Sequence, residues 1–418
     1  MWEQLERYRN HFLQNEIKDV LKPSSINRQQ NKEWSKAMEK RHICKCMPYG
    51  CSSTSTHLQD RAQLAYGWFA LPKLVKELDS DVPLTHWKAV VSLTEFLSNP
   101  LNAQRAITEK DIVRKLKNAF MRMRLKLHKE QYREVEMYLK IYNILSRNLD
   151  GAEHIANRKC LRNEFYKIIK NQEANKDGLA SEILRNLTGK PKVLGIFMED
   201  PENFAALAEI FNQDPCRPHY PLDLWHHLCH LLEVAPEQAI ALGFFELLHQ
   251  RILNRLADFW DMATKAFALL LRCAEGQRHF NAVDGVKLLY DIFAQPDEEK
   301  PSMLLPQQKV QNWEYTVLAL LNGLHSKRAL WRSREFTQLP CYVGRLMESA
   351  MAATVANPRL QLYCLKALRE LGVMPCTKRY IVANWLADIC QLFCLDAEAE
   401  CARDSLVDWL RRDIADSS

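Results

Sequence analysis

Glycine is scarce, 12 residues in 418, less than half the usual ~7%. So little glycine leaves small provision for tight hairpins, phosphate-cradling loops or nucleophile elbows. None of G-x-S-x-G, the P-loop or G-x-G-x-x-G occurs. Long apolar runs are missing as well. Even Ala239 to Leu248, AIALGFFELL, ends at His249, far short of the ~18 residues of a membrane span. The opening MWEQLERYRN is charged and lacks an apolar core, so no secretory signal is expected. Period-two strand patterning is confined to one short run, MRMRLKLHK, and the 13 cysteines are an odd number. Cys160, Cys229, Cys273, Cys364 and Cys390 stand singly in apolar helical stretches, where a free thiol acts as a small hydrophobe. Those absences argue for a helical, reduced, soluble cytoplasmic protein.

What is present is a large core. The chain is 47% hydrophobic and 26% charged, enough for two or three compact domains or one array of repeats. Net charge is +6 and the isoelectric point 8.6, below the ~9 of a dedicated nucleic-acid binder, so local charge matters more than the total. Catalysis needs an acid, base or nucleophile held in a cleft. No constellation proposes one, so the expectation is a non-enzymatic protein without cofactor.

Residues 1–21 space Trp2, Leu5, Tyr8, Phe12, Ile17, Val20 and Leu21 at three- and four-residue intervals, predicting an amphipathic helix stopped by Pro23. Residues 26–60 are polar, with Pro48, Gly50 and the run CSSTST. Residues 1–60 therefore read as an N-terminal helical arm and loop. From residue 61 one motif recurs: an apolar helix ending on a leucine pair, a polar break, then a second short amphipathic stretch. It is anchored near Leu97, Leu145, Leu187, Leu232, Cys273, Leu324 and Leu371, at spacings of 41 to 51 residues. A period of about 40–47 residues is that of armadillo and HEAT repeats, each unit burying its apolar face on the next. The fold expected is all-α: an armadillo/HEAT-like right-handed α-solenoid of seven to eight units over residues 61–418. The polar stretch Gln295 to Gln311, with Pro296, Pro301 and Pro306, reads as an inserted loop. Asn384 to Ile414 would cap the array, kept wet by Asp404, Asp408, Arg411 and Arg412.

Between Ala65 and Pro100, Ala70, Leu71, Leu74, Val75 and Leu78 form one apolar stripe and Ala89, Val90, Leu93, Phe96 and Leu97 the next. Asp79-Ser80-Asp81 separates them, and Thr85 is read as the second helix's N-cap. This segment resembles the opening repeat of the radial spoke head protein 14 family, armadillo-type proteins of the axonemal radial spoke. The matching residues are Ala65-Tyr66-Gly67, Ala70-Leu71-Pro72-Lys73-Leu74, Glu77-Leu78, Leu84-Thr85, Lys88-Ala89, Leu93 and Pro100. They span about 36 of 418 residues. His86-Trp87 stand where the family has Arg-Gln, and the arm is longer, so the resemblance is to a diverged member or paralogue. It implies an axonemal scaffold in a cilium or flagellum whose partners are other radial spoke subunits.

Three clusters carry potential chemistry. His42, Cys44, Cys46, Cys51 and His57 hold metal-ligand residue types, but their spacing matches no standard zinc motif, and no metal is expected. His226 and His230 share a helix face in LWHHLCHLL, yet no Glu follows the first His, so the metalloprotease arrangement is absent. These, with Cys390, Cys394 and Cys401, read as helix packing. The third cluster is basic: Lys110, Arg114, Lys115, Lys117, Arg122, Arg124, Lys126 and Lys129 face only Asp111 between residues 110 and 129. Such a stripe attracts acidic surfaces, for which tubulin or an acidic spoke subunit would serve. Nucleic acid ranks lower, because Phe120 alone is interleaved for stacking. The period-two run MRMRLKLHK leaves the conformation open there. The N-terminal residues Trp2, Leu5, Tyr8 and Phe12 form the other candidate partner surface. The alternative to an axonemal scaffold is a soluble transport or assembly adaptor of the import-receptor kind. Those receptors place Trp four residues before a third-helix Asn. Here Glu182 precedes Asn186 and Leu318 precedes Asn322, so that peptide-gripping ladder is missing.

Overall fold

A computed structural model describes residues 70–125, 132–173, 176–213, 220–254, 259–293, 306–325 and 337–415. The N-terminal arm lies outside them, including Trp2, Leu5, Tyr8, Phe12, His42, Cys44, Cys46, Cys51 and His57. Among the described residues every regular element is an α-helix, 21 in all, and there is no strand. The chain divides into two compact units between Ile141 and Tyr142.

The first unit holds α1 (Ala70–Glu77), α2 (Pro83–Leu97), α3 (Pro100–Lys110), α4 (Ile112–Leu125) and the start of α5 (Tyr132–Ser146). Leu71 and Leu74 of α1, with Leu78 just after it, pack against α2, where Ala89, Val90, Leu93 and Leu97 are buried as they are. Phe96 and Val75 are only half-buried. Thr85 is not the cap: α2 starts two residues earlier, with Pro83 in its first turn and no side-chain bond at Val82. Proline's fixed φ suits that first turn, and its missing N–H would be unpaired there anyway. Asn99 does cap α3, accepting from Leu101 N at 3.0 Å. His86, at one of the departures from the family pattern, ties two parts of this unit. Its Nδ1–H donates to Leu78 O at 3.0 Å, and its Nε2 accepts from the Tyr138 hydroxyl at 3.1 Å.

In the second unit helices recur in threes. The first trio is α6 (Leu149–Ala156), α7 (Lys159–Lys170) and α8 (Asp177–Thr188). The next is α9 (Pro191–Met198), α10 (Glu202–Gln213) and α11 (Leu222–Val234). Then come α12 (Pro236–Ala241), α13 (Phe244–Leu253) and α14 (Trp260–Leu270), and α15 (Ala274–Ala282), α16 (Gly285–Phe293) and α17 (Pro306–Leu324). Like helices stack: α6 on α9 and α12 on α15, α7 on α10 and α10 on α13, and third helices in one row from α8 through α11 and α14 to α17. The row continues into α19 (Pro358–Leu371) and α21 (Ala397–Ala415), which alternate with α18 (Leu339–Ala352) and α20 (Pro375–Gln391). The sequence anchors Leu187, Leu232, Leu324 and Leu371 are all buried in row helices, near or at the end of each.

Sequence dictates the breaks. Pro191 and Pro236 stand in the first turns of short helices, as Pro306 does in α17's long one. Asn148 caps α6, and the Cys273 sulfur accepts from Gly276 N at 3.4 Å to cap α15. Across these turns a side chain donates to the carbonyl six residues back: Asn203 to Phe197 O at 2.8 Å, Gln277 to Leu271 O at 3.2 Å, and Arg162 to Ala156 O. Each satisfies a helix-end acceptor that would otherwise be orphaned. Pro306 to Gln311 are helical rather than loop, because a proline in the first turn begins a helix instead of breaking one. The rest of that expected insertion lies outside the described residues.

Packing is tight around Phe280, whose ring is fully buried between Gly285 of α16 and Gly323 of α17. A methyl group added at either glycine would overlap the ring. Two cysteine expectations fail. Cys160 is exposed because it lies on the outer face of α7, and Cys390 and Cys401 are exposed on the final pair of helices. Cys229, Cys273 and Cys364 are buried as expected, and Asp404, Asp408, Arg411 and Arg412 are exposed.

Candidate protein-binding faces

The basic stretch is a helix. Ile112, Val113, Leu116, Ala119, Phe120 and Met123 of α4 are buried, a three- and four-residue repeat that turns the charges outward. Arg114 and Arg122 are exposed, and Lys115, Lys117 and Arg124 half-buried. Lys110 ends α3, and Lys126 and Lys129 lie outside the described residues. The charge is less free than the sequence suggests. Asp79, in the turn after α1, bonds Arg122 at 2.6 Å and approaches Lys115 at 3.8 Å. Asp111 bonds Arg114 at 3.0 Å. Asp79 is more than thirty positions upstream, beyond the reach of local charge counting.

The row of third helices in the second unit makes a different face. Arg147, just after α5, bonds Glu182 of α8 at 3.1 Å, and Arg185 pairs with Asp223 of α11. Asn186 donates to Asn143 at 2.9 Å and to Ser146 at 3.2 Å, and Asn322 donates to Ala268 O at 2.8 Å. Both amides join neighbouring helices. Lys190 is held between the ends of α5 and α8, donating to Ser146 O at 2.8 Å and Asn186 O at 2.7 Å. Burial pulls its pKa below the usual lysine value.

Beneath this face lies a buried polar relay. The Tyr166 hydroxyl donates to His227 Nε2 at 2.8 Å, and His227 Nδ1–H donates to Thr188 Oγ1 at 3.0 Å. Thr188 donates in turn to Leu184 O at 3.0 Å and accepts from His230 Nδ1 at 3.1 Å. Burial holds His227 down to about 3, assisted by His230, so the ring is neutral. The histidine cluster seen in the sequence is thus an interhelix lock. Among the described residues no group of three or more His, Cys, Asp or Glu side chains could hold a metal ion, and no helix is long and apolar enough to cross a membrane.

Two open clefts lie near the C-terminal end. One of about 550 Å³ runs between α19 and α21 past Arg369, Glu400, Asp404, Asp408 and Trp409. The other, about 310 Å³, passes Met351, Gln361 and the exposed Phe393.

No protein-family model matches the chain, and no curated protein does. Solved structures do. A crystal structure of an engineered protein overlaps at a TM-score of 0.53 and 12% identity, covering 82% of this chain and 89% of that one. A second engineered protein overlaps more loosely, at a TM-score of 0.43 and 18% identity, over 60% of this chain and 95% of its own. At 12% identity the first likeness speaks for the helical fold alone.

Proposed function

We propose that this chain is a non-enzymatic scaffold of the ciliary or flagellar axoneme, built as an armadillo/HEAT-like α-solenoid and docking acidic protein partners. The observation that carries the reading is the recurring trio of helices, with third helices stacked in one row. Such a row offers one solvent-facing strip per repeat to a partner. The axonemal part rests on the resemblance of Ala65 to Pro100 to the radial spoke family. In the structure Leu71, Leu74, Leu78, Ala89 and Leu93 of that segment form the core of the first unit. Acidic partners, whether spoke subunits or tubulin, follow from the basic outer face of α4. The adaptor reading draws no support from Asn186 and Asn322, whose amides bond neighbouring helices. The test is localisation of the tagged full chain in ciliated cells. The reading expects confinement to motile cilia or sperm tails and retention after detergent removes the membrane. A diffuse cytoplasmic signal that detergent releases would refute it.

A further inference from the structure

Phe393 is 81% exposed, while every other phenylalanine among the described residues is buried or half-buried. It stands in the short link between α20 and α21, and the backbone is held on both sides of the ring. Gln361 of α19, itself buried, donates through Nε2 to Phe393 O at 2.9 Å and to Ala350 O of α18 at 3.2 Å. Its Oε1 accepts from Leu395 N at 3.0 Å. Arg403 of α21 donates to Leu392 O at 3.0 Å, and the Leu392 side chain anchors the link in the core. A ring on so fixed a backbone has little freedom to lose on binding, and held aromatic side chains are the usual anchors of protein interfaces.

The ring borders the smaller of the two C-terminal clefts, whose wall also carries the exposed Met351 and the half-buried Ala353 and Leu395. One exposed apolar residue needs no explanation, but an exposed ring beside an apolar cleft is a patch. Asp388 is the single charged residue in that wall, and it makes no ion pair among the described residues. The surroundings share its sign. From Asp388 to Asp408 six carboxylates, Asp388, Asp396, Glu398, Glu400, Asp404 and Asp408, stand against Arg403 alone, and all six are exposed. Arg403 pairs with Asp404 at 2.7 Å and approaches Glu400 at 3.5 Å. Arg369 of α19 also reaches α21, bonding Ser405 at 3.0 Å. The balance along this stretch stays negative, so a basic guest meets complementary charge and an acidic one is repelled.

We propose that Phe393 and its cleft dock the apolar face of a basic amphipathic helix from a partner protein, with a Lys or Arg of that helix on Asp388. On such a helix an apolar side chain and a basic one three or four positions away are neighbours, about 5–6 Å apart. One turn can therefore fill the cleft and meet the carboxylate. The site goes beyond the docking proposed for α4 and does not depend on the axonemal reading. It is opposite in sign: α4 suits acidic partners, and the end of the chain suits basic ones.

The experiment is fluorescence anisotropy of a labelled helical peptide, leucines every three to four residues among lysines, titrated with the full chain. Two companion peptides separate its parts, one with Glu in place of Lys and one with Ser in place of Leu. The Leu–Lys peptide should bind, and more weakly as salt rises. Phe393→Ala should weaken it about tenfold or more, the scale of an aromatic anchor, without changing the melting temperature, since the ring is exposed. Phe393→Trp should keep the binding. Asp388→Lys should weaken it severalfold, and Glu237→Lys, the same change at an exposed position of α12, should leave it in place. The proposal falls if folded Phe393→Ala binds the Leu–Lys peptide as wild type does, or if the Lys–Ser peptide binds as firmly as the Leu–Lys one. It also falls if the Leu–Glu peptide is the one whose binding needs Phe393. Dimers in sedimentation velocity that Phe393→Ala returns to monomers would make a second copy the occupant and overturn it equally.

Discussion

Helix α4 and helix α14 present charge in opposite ways. Helix α4 carries five basic residues, and at least three of them are held by carboxylates, through Asp79 and Asp111. Helix α14 carries one, Lys265, on a cylinder otherwise buried, and among the described residues it makes no ion pair. Charge density along the sequence therefore differs from charge available to a partner. A dense stripe in water is worth little per residue once its neighbours neutralise it. A single ammonium at the edge of a core is screened less and retains more of its field.

The sharpest way to break this contrast is to add a charge to each helix. Ala266→Asp, at a fully buried position of α14, should destabilise the second unit by several kcal/mol, because an unpaired buried carboxylate has no compensation. Asn118→Asp, on the exposed face of α4, should shift the denaturation midpoint hardly at all. Equal effects would mean that α14 is not the buried helix described.

Acid gives the next largest effect. His227 holds its folded pKa near 3 against the ordinary 6.5, so between those values the unfolded chain binds a proton that the folded chain refuses. Stability must then fall as pH falls from about 6.5 toward 3, by about 1.4 kcal/mol for each pKa unit of the shift. Below that window the contribution changes no further. His227→Gln should be less stable at neutral pH and show a flatter loss on acidification in urea titrations. A variant with the wild-type slope would place the acid sensitivity elsewhere.

Gly323→Ala tests the packing of the trio behind α14. Its methyl group would meet the Phe280 ring, and overpacking of this kind typically costs about 1–3 kcal/mol. Phe280→Leu in the same chain should recover part of the loss in thermal melts. The smallest effect belongs to Asp79→Asn. Removing that carboxylate should change stability by less than about 1 kcal/mol. It should also strengthen binding of an acidic peptide to α4 by releasing Arg122 and Lys115. Unchanged affinity would mean that the pairing does not limit that face.

Much of the helix order was legible because periodicity is a local property. Leu97, Leu187, Leu232 and Leu371 each closed an apolar stripe before a polar break, and each lies buried at or near a helix end. Thr85 and Pro306 misled for one reason: a proline in the first turn moves a helix start upstream, and composition alone counts proline as a breaker. Asp79 could not be matched to Arg122 from the sequence, since that contact is created by the packing of the first unit. Lys265 leaves a trace in the sequence, as the one basic residue in the run DMATKAFALLL. The relay from Tyr166 through His227 to Thr188 joins three helices, and only the packing of α7 and α11 around α8 brings it together.

The measurement that most directly tests the scaffold account is stepwise salt extraction of the protein from demembranated flagella. Wild type should stay with the axoneme at physiological salt and leave as ionic strength rises, since exposed charges are screened within about 8 Å at physiological ionic strength. A folded variant with Arg114, Lys115, Arg122 and Arg124 changed to Glu should leave in the first wash, and Lys117→Glu should leave at an intermediate salt. If the folded quadruple variant is held as firmly as wild type, α4 does not dock an acidic axonemal partner and the account is contradicted.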